Sequence, residues 1–441
     1  MSRLVLTSDF LSTLRANLLK HKEETCAILY GRAVEISGKL ARIVVRESTH
    51  PEPGAYQLRT SVRAQLQPEF VAEATQRARR SGDSIIFVHT HPFSLNTFSE
   101  IDDAGEVELA PFLRQRIPHT THAAMLLTPE KSVARQIGTK KPLRVTGVGE
   151  NIIWGDIGVA TKAADCYDRQ IRAFGAAGQK VLKSMRVGIV GLGGTGSIVL
   201  QELVYLGVRD FLLLDPDTVE ETNLNRLVGA RPADIGKTKV AVAQRWAKRI
   251  NPAIHIDASK DTALRAEAAR SLAATDFVFC CTDSHGSRAV LNQVAYQYLV
   301  PMIDMGVVIA TNGKQVTHVA GRAQMLAPGL ACMVCGNLLD AEQVRRDLMT
   351  DFERQKDPYI IGQPEPAPAV ISLNSTMASL AVTMFLNAVV GVPGSARFLN
   401  YNAITGICRP AICTPHPSCV VCSYRGAIAR GDEWPLPARQ D

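Results

Sequence analysis

The sequence predicts an α/β protein of two units, an N-terminal α+β domain followed by a domain built on a mostly parallel sheet. Three observations carry this. At 441 residues the chain is long enough for two or three domains, each with its own core. Up to about residue 145, helical and strand patterns are mixed, as in an α+β domain. From Arg186 onward, apolar strands alternate with helices, the pattern of a parallel sheet covered on both faces.

The composition excludes several classes. A hydrophobic fraction of 46% and a charged fraction of 21% are those of an ordinary globular chain. The net charge of +7 is mild, and no dense Lys/Arg run or aromatic stripe points to nucleic acid. Met1 to Phe10 lacks a basic start followed by a long apolar run, so no signal peptide is expected and a reducing, cytoplasmic setting is. The most apolar stretch, Met377 to Val392, is interrupted by Ser379, Thr383 and Asn387 and reads as a buried or dimer helix rather than a membrane span. No internal repeat is evident.

In chain order, Leu11 to His21 and Val62 to Arg80 read as helices, with strands at Ala27 to Leu29, Ala41 to Val45, Ser84 to Val88 and Ala123 to Leu127. The first chemical signal ends the third of these strands. His89 and His91 are two apart in an extended segment, so both project from one face. Pro92 then opens a loop from which Asp102 can return as a third ligand. Three protein ligands leave the fourth position of a tetrahedral zinc for water, as hydrolysis requires. Glu24, just before the apolar Cys26 to Leu29 run, is the candidate proton acceptor, and Ser99 can donate to an oxyanion.

The set His89, His91, then seven residues, then Ser99 and Asp102, with the run from Glu24 to Gly31 upstream, closely resembles the JAMM (JAB1/MPN/Mov34) metallopeptidases. Their Glu-to-Gly spacing selects Glu24 over Glu23. The resemblance implies a JAB/MPN domain over residues 1–147 that cleaves ubiquitin-like proteins from attached groups, or trims sulfur carriers. The alternative is a metal-free scaffold domain, although such members characteristically lose ligands that this chain keeps.

Residues 148–164 then read as a linker. The second unit opens as strand Arg186 to Val190, a turn containing Gly191, Gly193, Gly194 and Gly196, and a helix from Ser197 to Gly207. Such a turn lets backbone N–H groups and a helix N-terminus meet phosphate oxygens. By itself it fits a dehydrogenase equally well. Asp215, ending the next strand, is placed to hold ribose hydroxyls. Asp217, Asn223, Arg226 and Lys239 follow, and Asp283 lies just past the strand Phe277 to Cys281. Cations aimed at phosphates suit adenylation, in which negative charge gathers on the α-phosphate, and Asp283 is the natural Mg²⁺ ligand. A further strand is expected at Met302 to Asp304.

These residues, with Asp168-Arg169-Gln170-Ile171, resemble the ThiF/MoeB/E1 superfamily over residues 165–425. The resemblance implies a Rossmann-like adenylation domain using ATP and Mg. Arg226 and Lys239 would sit on phosphates, Asn223 would support them, and Arg169 would reach the ATP site of a homodimer partner. Leu227 departs from the Gln common there. Cys332, Cys335, Cys419 and Cys422 form two C-x-x-C pairs that can converge on one closed structural zinc, as in ThiF-like members.

No cysteine lies between Cys335 and Cys408, so an internal E1 thioester is not expected; Cys408 and Cys413 lie outside the expected loop. Ser372 or Ser375 as an acyl acceptor is less natural than a helix start. Residues 342–368 read as a mobile crossover loop arching over a carrier tail, and residues 426–441 as a tail.

The expected function is processing and activation of a ubiquitin-like protein ending in Gly-Gly, in a bacterial conjugation pathway with an E2-like partner. The alternatives are a ThiS/MoaD-like sulfur carrier with a sulfur donor, and a non-catalytic ubiquitin-like-protein-binding scaffold.

Overall fold

The computed structural model describes residues 1–93, 95–158, 165–313, 315–350, 352–353 and 368–440. The chain divides into one unit of Met1–Gly158 with Ala429–Pro435, and a second of Val159–Ile428 with Leu436–Asp441. Residues 426–441, expected as a tail, are thus shared between the two units. Within the first, Glu433 pairs with Arg46 at 3.6 Å, and Gly431 (φ +54°) packs against the Arg32 side chain.

The first unit is built on strands β1 (Arg3–Thr7), β2 (Cys26–Ile36), β3 (Lys39–Thr49), β6 (Ser84–Thr90), β7 (Ala123–Leu127), β8 (Ser132–Gln136), β9 (Pro142–Val148) and β10 (Ile153–Trp154), with a separate hairpin of β4 (Tyr56–Arg59) and β5 (Ala64–Leu66). The large sheet runs β1-β3-β2-β6-β7-β8-β9-β10, and β1 also pairs with β9 in parallel, closing the first seven strands into a ring. Inside lie Leu4, Leu6, Leu29, Ile86, Val88 and Met125 with Leu11 and Leu14 of helix Ser8–Leu18. On the other face Ile28, Tyr30 and Ile85 meet Ala78 of helix Pro68–Ser81 and Leu113 of helix Glu100–Arg116.

The helix expected from Val62 begins instead at Pro68. Ala64–Leu66 pairs instead with Tyr56–Arg59 as the second strand of the hairpin, and Pro68 occupies the first helical turn, where its missing N–H costs nothing.

The second unit carries β11 (Arg186–Val190), β12 (Asp210–Leu214), β13 (His255–Ser259), β14 (Phe277–Cys280), β15 (Met302–Asn312), β16 (Gln315–Leu326), β17 (Phe398–Asn402) and β18 (Ile407–Pro410). Its order is β13-β12-β11-β14-β15-β16-β17-β18. The first five strands are parallel and the last three antiparallel. The central parallel strands β12, β11 and β14 are almost wholly apolar, as strands buried on both faces must be, whereas the edge strand β13 is mostly exposed.

Helix Ile371–Val390 is long and apolar enough to cross a membrane by length and composition. Here its Phe385 packs edge-on against Phe277 of β14, with ring centroids 4.9 Å apart, and Met377, Ala381 and Phe385 are buried. It serves as a core helix of this unit.

Candidate active sites

In the first unit, β6 delivers His89 and its end delivers His91, while helix Glu100–Arg116 delivers Asp102. Ser99 caps that helix. Its Oγ accepts from Asp102 N at 3.2 Å and donates to Asp102 Oδ2 at 2.8 Å, and Ser99 N donates to the same oxygen at 2.6 Å. This reciprocal box fixes the carboxylate. The S-x-x-D spacing is therefore a helix cap as well as a chemical motif, and Ser99 Oγ is engaged with Asp102.

His89 Nε2 lies 3.0 Å from Asp102 Oδ1, and His91 Nε2 lies 3.5 Å from Asp102 Oδ2 and 3.6 Å from Glu24 Oε1. His91 Nδ1 sits 3.1 Å from Leu95 O; a proton there leaves the Nε2 lone pair facing Asp102 and Glu24. His89 Nε2 is buried without a well-aligned hydrogen bond. Ligand atoms of His89, His91 and Asp102 all fall within 4.8 Å of one another. Two imidazoles and a carboxylate this close fit a divalent cation such as zinc.

Glu24 is itself buried. Burial pushes its carboxyl upward against the opposing pull of His89 and His91. Its backbone is pinned by the β4–β5 hairpin: Glu24 N donates to Thr60 O at 2.8 Å, and Arg59 Nε donates to Glu24 O at 3.1 Å. Glu23 instead pairs with Arg59 at 3.4 Å.

In the second unit, the turn between β11 and helix Gly194–Leu206 is packed around its glycines. Gly191 has φ +86°. A Cβ on Gly196 would lie 1.9 Å from Gly191 O, and one on Gly194 would lie 2.1 Å from Asn374 Nδ2 and 3.4 Å from Arg226 Cδ. Gly193 precedes the helix with open space about it. Asp215, buried at the end of β12, accepts from Leu192 N at 2.5 Å and Asp217 N at 2.8 Å, which ties it to the glycine turn. Burial raises its carboxyl, opposed first by Lys239.

Lys239 begins helix Lys239–Ile250 and reaches Asp217 Oδ2 at 2.7 Å. Arg226 donates to Thr222 O at 2.5 Å and Asn225 Oδ1 at 3.1 Å, while Asn223 Oδ1 accepts from Glu220 N at 3.1 Å. Leu227 is buried with Val219 and Val242, so its departure from a polar residue fills a small apolar cluster. Asp283 is exposed just beyond β14, beside the start of helix His285–Gln297. Arg169 is exposed on the first turn of helix Asp168–Ser184.

Asn374 escapes sequence reading. It is buried on helix Ile371–Val390, with its amide against Gly194. Only its polarity within an apolar run could have marked it. Ser372 and Ser375 lie on the first turns of the same helix, and Val370, not a serine, is its N-terminal cap residue. Of the expected crossover loop, residues 351 and 354–367 lie outside the described residues, and Ala341–Leu348 forms a helix.

The four expected cysteines converge within 4.8 Å. Cys332 Sγ and Cys419 Sγ are 3.5 Å apart, and Cys335 Sγ and Cys422 Sγ 3.4 Å. Both separations are far beyond a disulfide bond of about 2.05 Å and near the edge of roughly 3.8 Å of a zinc–thiolate tetrahedron. His416 N points at Cys335 Sγ (3.3 Å) and Val421 N at Cys419 Sγ (3.4 Å), donors suited to thiolates. Tyr296 donates to Leu330 O at 3.0 Å, and Asn292 Oδ1 accepts from Met333 N at 2.9 Å, holding the first knuckle. This cluster could bind zinc.

Residues 7–136 match the family model described as prokaryotic homologs of the JAB domain, and residues 167–421 match that of the ThiF family. Among similar proteins, the molybdopterin-synthase adenylyltransferase of Escherichia coli is 34% identical over 258 residues, covering 58% of this chain and 95% of the relative. The sulfur carrier protein adenylyltransferase of Thermus thermophilus is 28% identical over 267 residues, covering 58% and 90%. The SAMP-activating enzyme E1 of Haloferax volcanii is 30% identical over 157 residues, covering 35% and 58%. With more than half of its length matched by one model, and with the glycine turn, acidic strand end and paired cysteine knuckles in place, the chain belongs to the ThiF family and carries a JAB domain ahead of it.

Proposed function

We propose that this protein processes and activates a ubiquitin-like or sulfur-carrier protein ending in Gly-Gly. Its first unit cleaves after the terminal glycine, and its second adenylates the exposed carboxylate with ATP. The observation that carries the reading is the presence of two complete constellations in one chain: Glu24 with His89, His91 and Asp102, and the glycine turn with Asp215, Arg226, Lys239 and Asp283.

In the first unit, His89, His91 and Asp102 would hold a zinc ion, which when bound supplies Lewis acidity and an activated water. Glu24, within 3.6 Å of His91 Nε2, takes a proton as the water attacks and returns it to the leaving amine. In the second unit, the N–H groups opening helix Gly194–Leu206 receive phosphate oxygens. The carrier carboxylate oxygen attacks the α-phosphorus, the bond to the bridging oxygen breaks, and pyrophosphate leaves. Arg226 and Lys239 balance the charge that gathers there, and Asp283 would hold Mg²⁺, which shields the departing phosphates. The four cysteines would hold a structural zinc. The chain acts as a homodimer in which Arg169 meets the partner's nucleotide.

Conjugation is the leading pathway, since a peptidase in the same chain can reverse ligation. The named activities of the relatives in molybdopterin synthesis and sulfur-carrier activation favour the second reading, in which the adenylate becomes a thiocarboxylate. ATP–pyrophosphate exchange tests the core of both, using Gly-Gly-ended carriers from the source genome, mature and extended. Exchange should vanish in Asp283→Ala, and exchange from an extended precursor should require His89. No exchange with any mature carrier would sink the activation reading.

A further inference from the structure

The segment Asp283–Gly286, which leads into helix His285–Gln297, is held from outside by parts of the chain remote in sequence. Asp347, in the last turn of helix Ala341–Leu348, accepts from Ser284 Oγ at 2.7 Å and from Gly286 N at 2.9 Å. Asp340 N, at the other end of that helix, donates to His285 Nδ1 at 3.0 Å. The approach is so close that a Cβ on Gly286 would lie 2.5 Å from Asp347 Cβ and 2.9 Å from Leu264 Cδ2. An eight-residue helix has little stability of its own and needs such anchors.

The second anchor is the end of the chain. Arg439 donates from Nη2 to Asp347 O at 2.5 Å and from Nε to Leu348 O at 3.2 Å, a cation on the last carbonyls of the helix. Arg439 is itself fixed by a backbone bridge. Its N donates to Leu264 O at 2.7 Å, and Ala266 N donates to its carbonyl at 2.7 Å. So Arg439 holds the helix, the helix presents Asp347, and Asp347 holds both Ser284 and Gly286 beside Asp283.

We infer that Arg439 is a positioning residue for the nucleotide site, acting through Asp347 to set the loop that carries Asp283. This rests on the proposed adenylation. It assigns the chain's last residues a part in Mg²⁺-dependent nucleotide binding rather than the role of a polar tail. A clamp of this kind acts on Ser284 and Gly286 beside Asp283 and makes no contact with Gly191 to Gly196. Its loss should therefore remove the gain in ATP affinity that Mg²⁺ provides, while metal-free binding by the glycine turn persists.

The test is calorimetric titration of the full-length chain with a non-hydrolysable ATP analogue, with Mg²⁺ and with EDTA. Two charge-assisted hydrogen bonds are removed in Arg439→Ala, so the Mg²⁺-dependent gain should shrink about tenfold, with affinity in EDTA unchanged. Asp347→Ala should reproduce this, and Arg439→Lys should restore part of it. Retention of the full gain by folded Arg439→Ala would overturn the inference. So would an equal loss with and without Mg²⁺, which marks a merely structural role. If the wild type binds no nucleotide, the adenylation reading falls first, and that result precedes any variant. Wild-type binding without a Mg²⁺ gain would overturn the clamp alone.

Discussion

Gly196→Ala isolates what the glycine turn demands. The added methyl would stand 1.9 Å from Gly191 O, 2.9 Å from Gly191 C and 3.3 Å from Cys281 Cβ. The first two are backbone atoms of the same turn and cannot rotate away. Relief requires helix Gly194–Leu206 to lift from β11 or Gly191 to leave its position at φ +86°. Overpacking where side chains can adjust costs about 1–3 kcal/mol. A backbone obstacle belongs at the upper end, about 3 kcal/mol. For a unit of this size that is a fall of roughly 6–12 °C in the second unit's unfolding midpoint. Because the N–H groups of the turn move with Gly191, affinity for an ATP analogue should fall at least about tenfold, or ~1.4 kcal/mol. The control is Gly193→Ala, whose methyl meets nothing within 4 Å and should leave the midpoint unchanged. Calorimetry and nucleotide titration read both quantities. A Gly196→Ala protein that melts with the wild type and binds nucleotide equally well would refute the steric argument.

Three further outcomes follow from the sites. Glu24→Gln should abolish cleavage of an extended carrier yet keep zinc bound to the first unit, whereas His91→Ala should lose that zinc; metal content by mass spectrometry separates the two. Cys422→Ser should release one zinc per chain and destabilise the second unit, since three thiols leave the tetrahedron open, while peptidase activity survives. Asp234 is held well below the usual carboxylate range by Arg245 at 2.6 Å, against the effect of burial, with Lys237 at 3.1 Å assisting. A carboxyl lowered in the folded state stabilises fully above its unfolded value of about 3.9 and loses that contribution progressively as pH falls from there through its lower folded value. Arg245→Met should therefore flatten the acid limb of the stability profile measured by denaturant titration, and an unchanged limb would remove Asp234 from the account.

What could be read in the sequence was local. His89 and His91 share a strand, Ser99 and Asp102 share a helix cap, and Gly191 to Gly196 share a turn, so each motif carries its own geometry. The two cysteine pairs lie 87 residues apart, from Cys332 to Cys419, yet each C-x-x-C knuckle is legible singly and only their meeting needs the fold.

Illegible were the closures made at long range by unremarkable residues. Arg3–Thr7 completes the ring of the first sheet through Pro142–Val148, a pairing written in neither segment, because an apolar strand reads alike beside any neighbour. Asn374 illustrates the same limit in the second unit. Within an apolar helix its amide looks like a flaw in the pattern, and only the approach of Gly194 from a segment far upstream gives it a purpose. A buried polar group costs stability unless a partner meets it, so an amide retained there implies one. Such residues are where sequence patterning breaks and where the fold brings a site together. Asp347 and Arg439, read as loop and tail, carry the same argument to the edge of the nucleotide site.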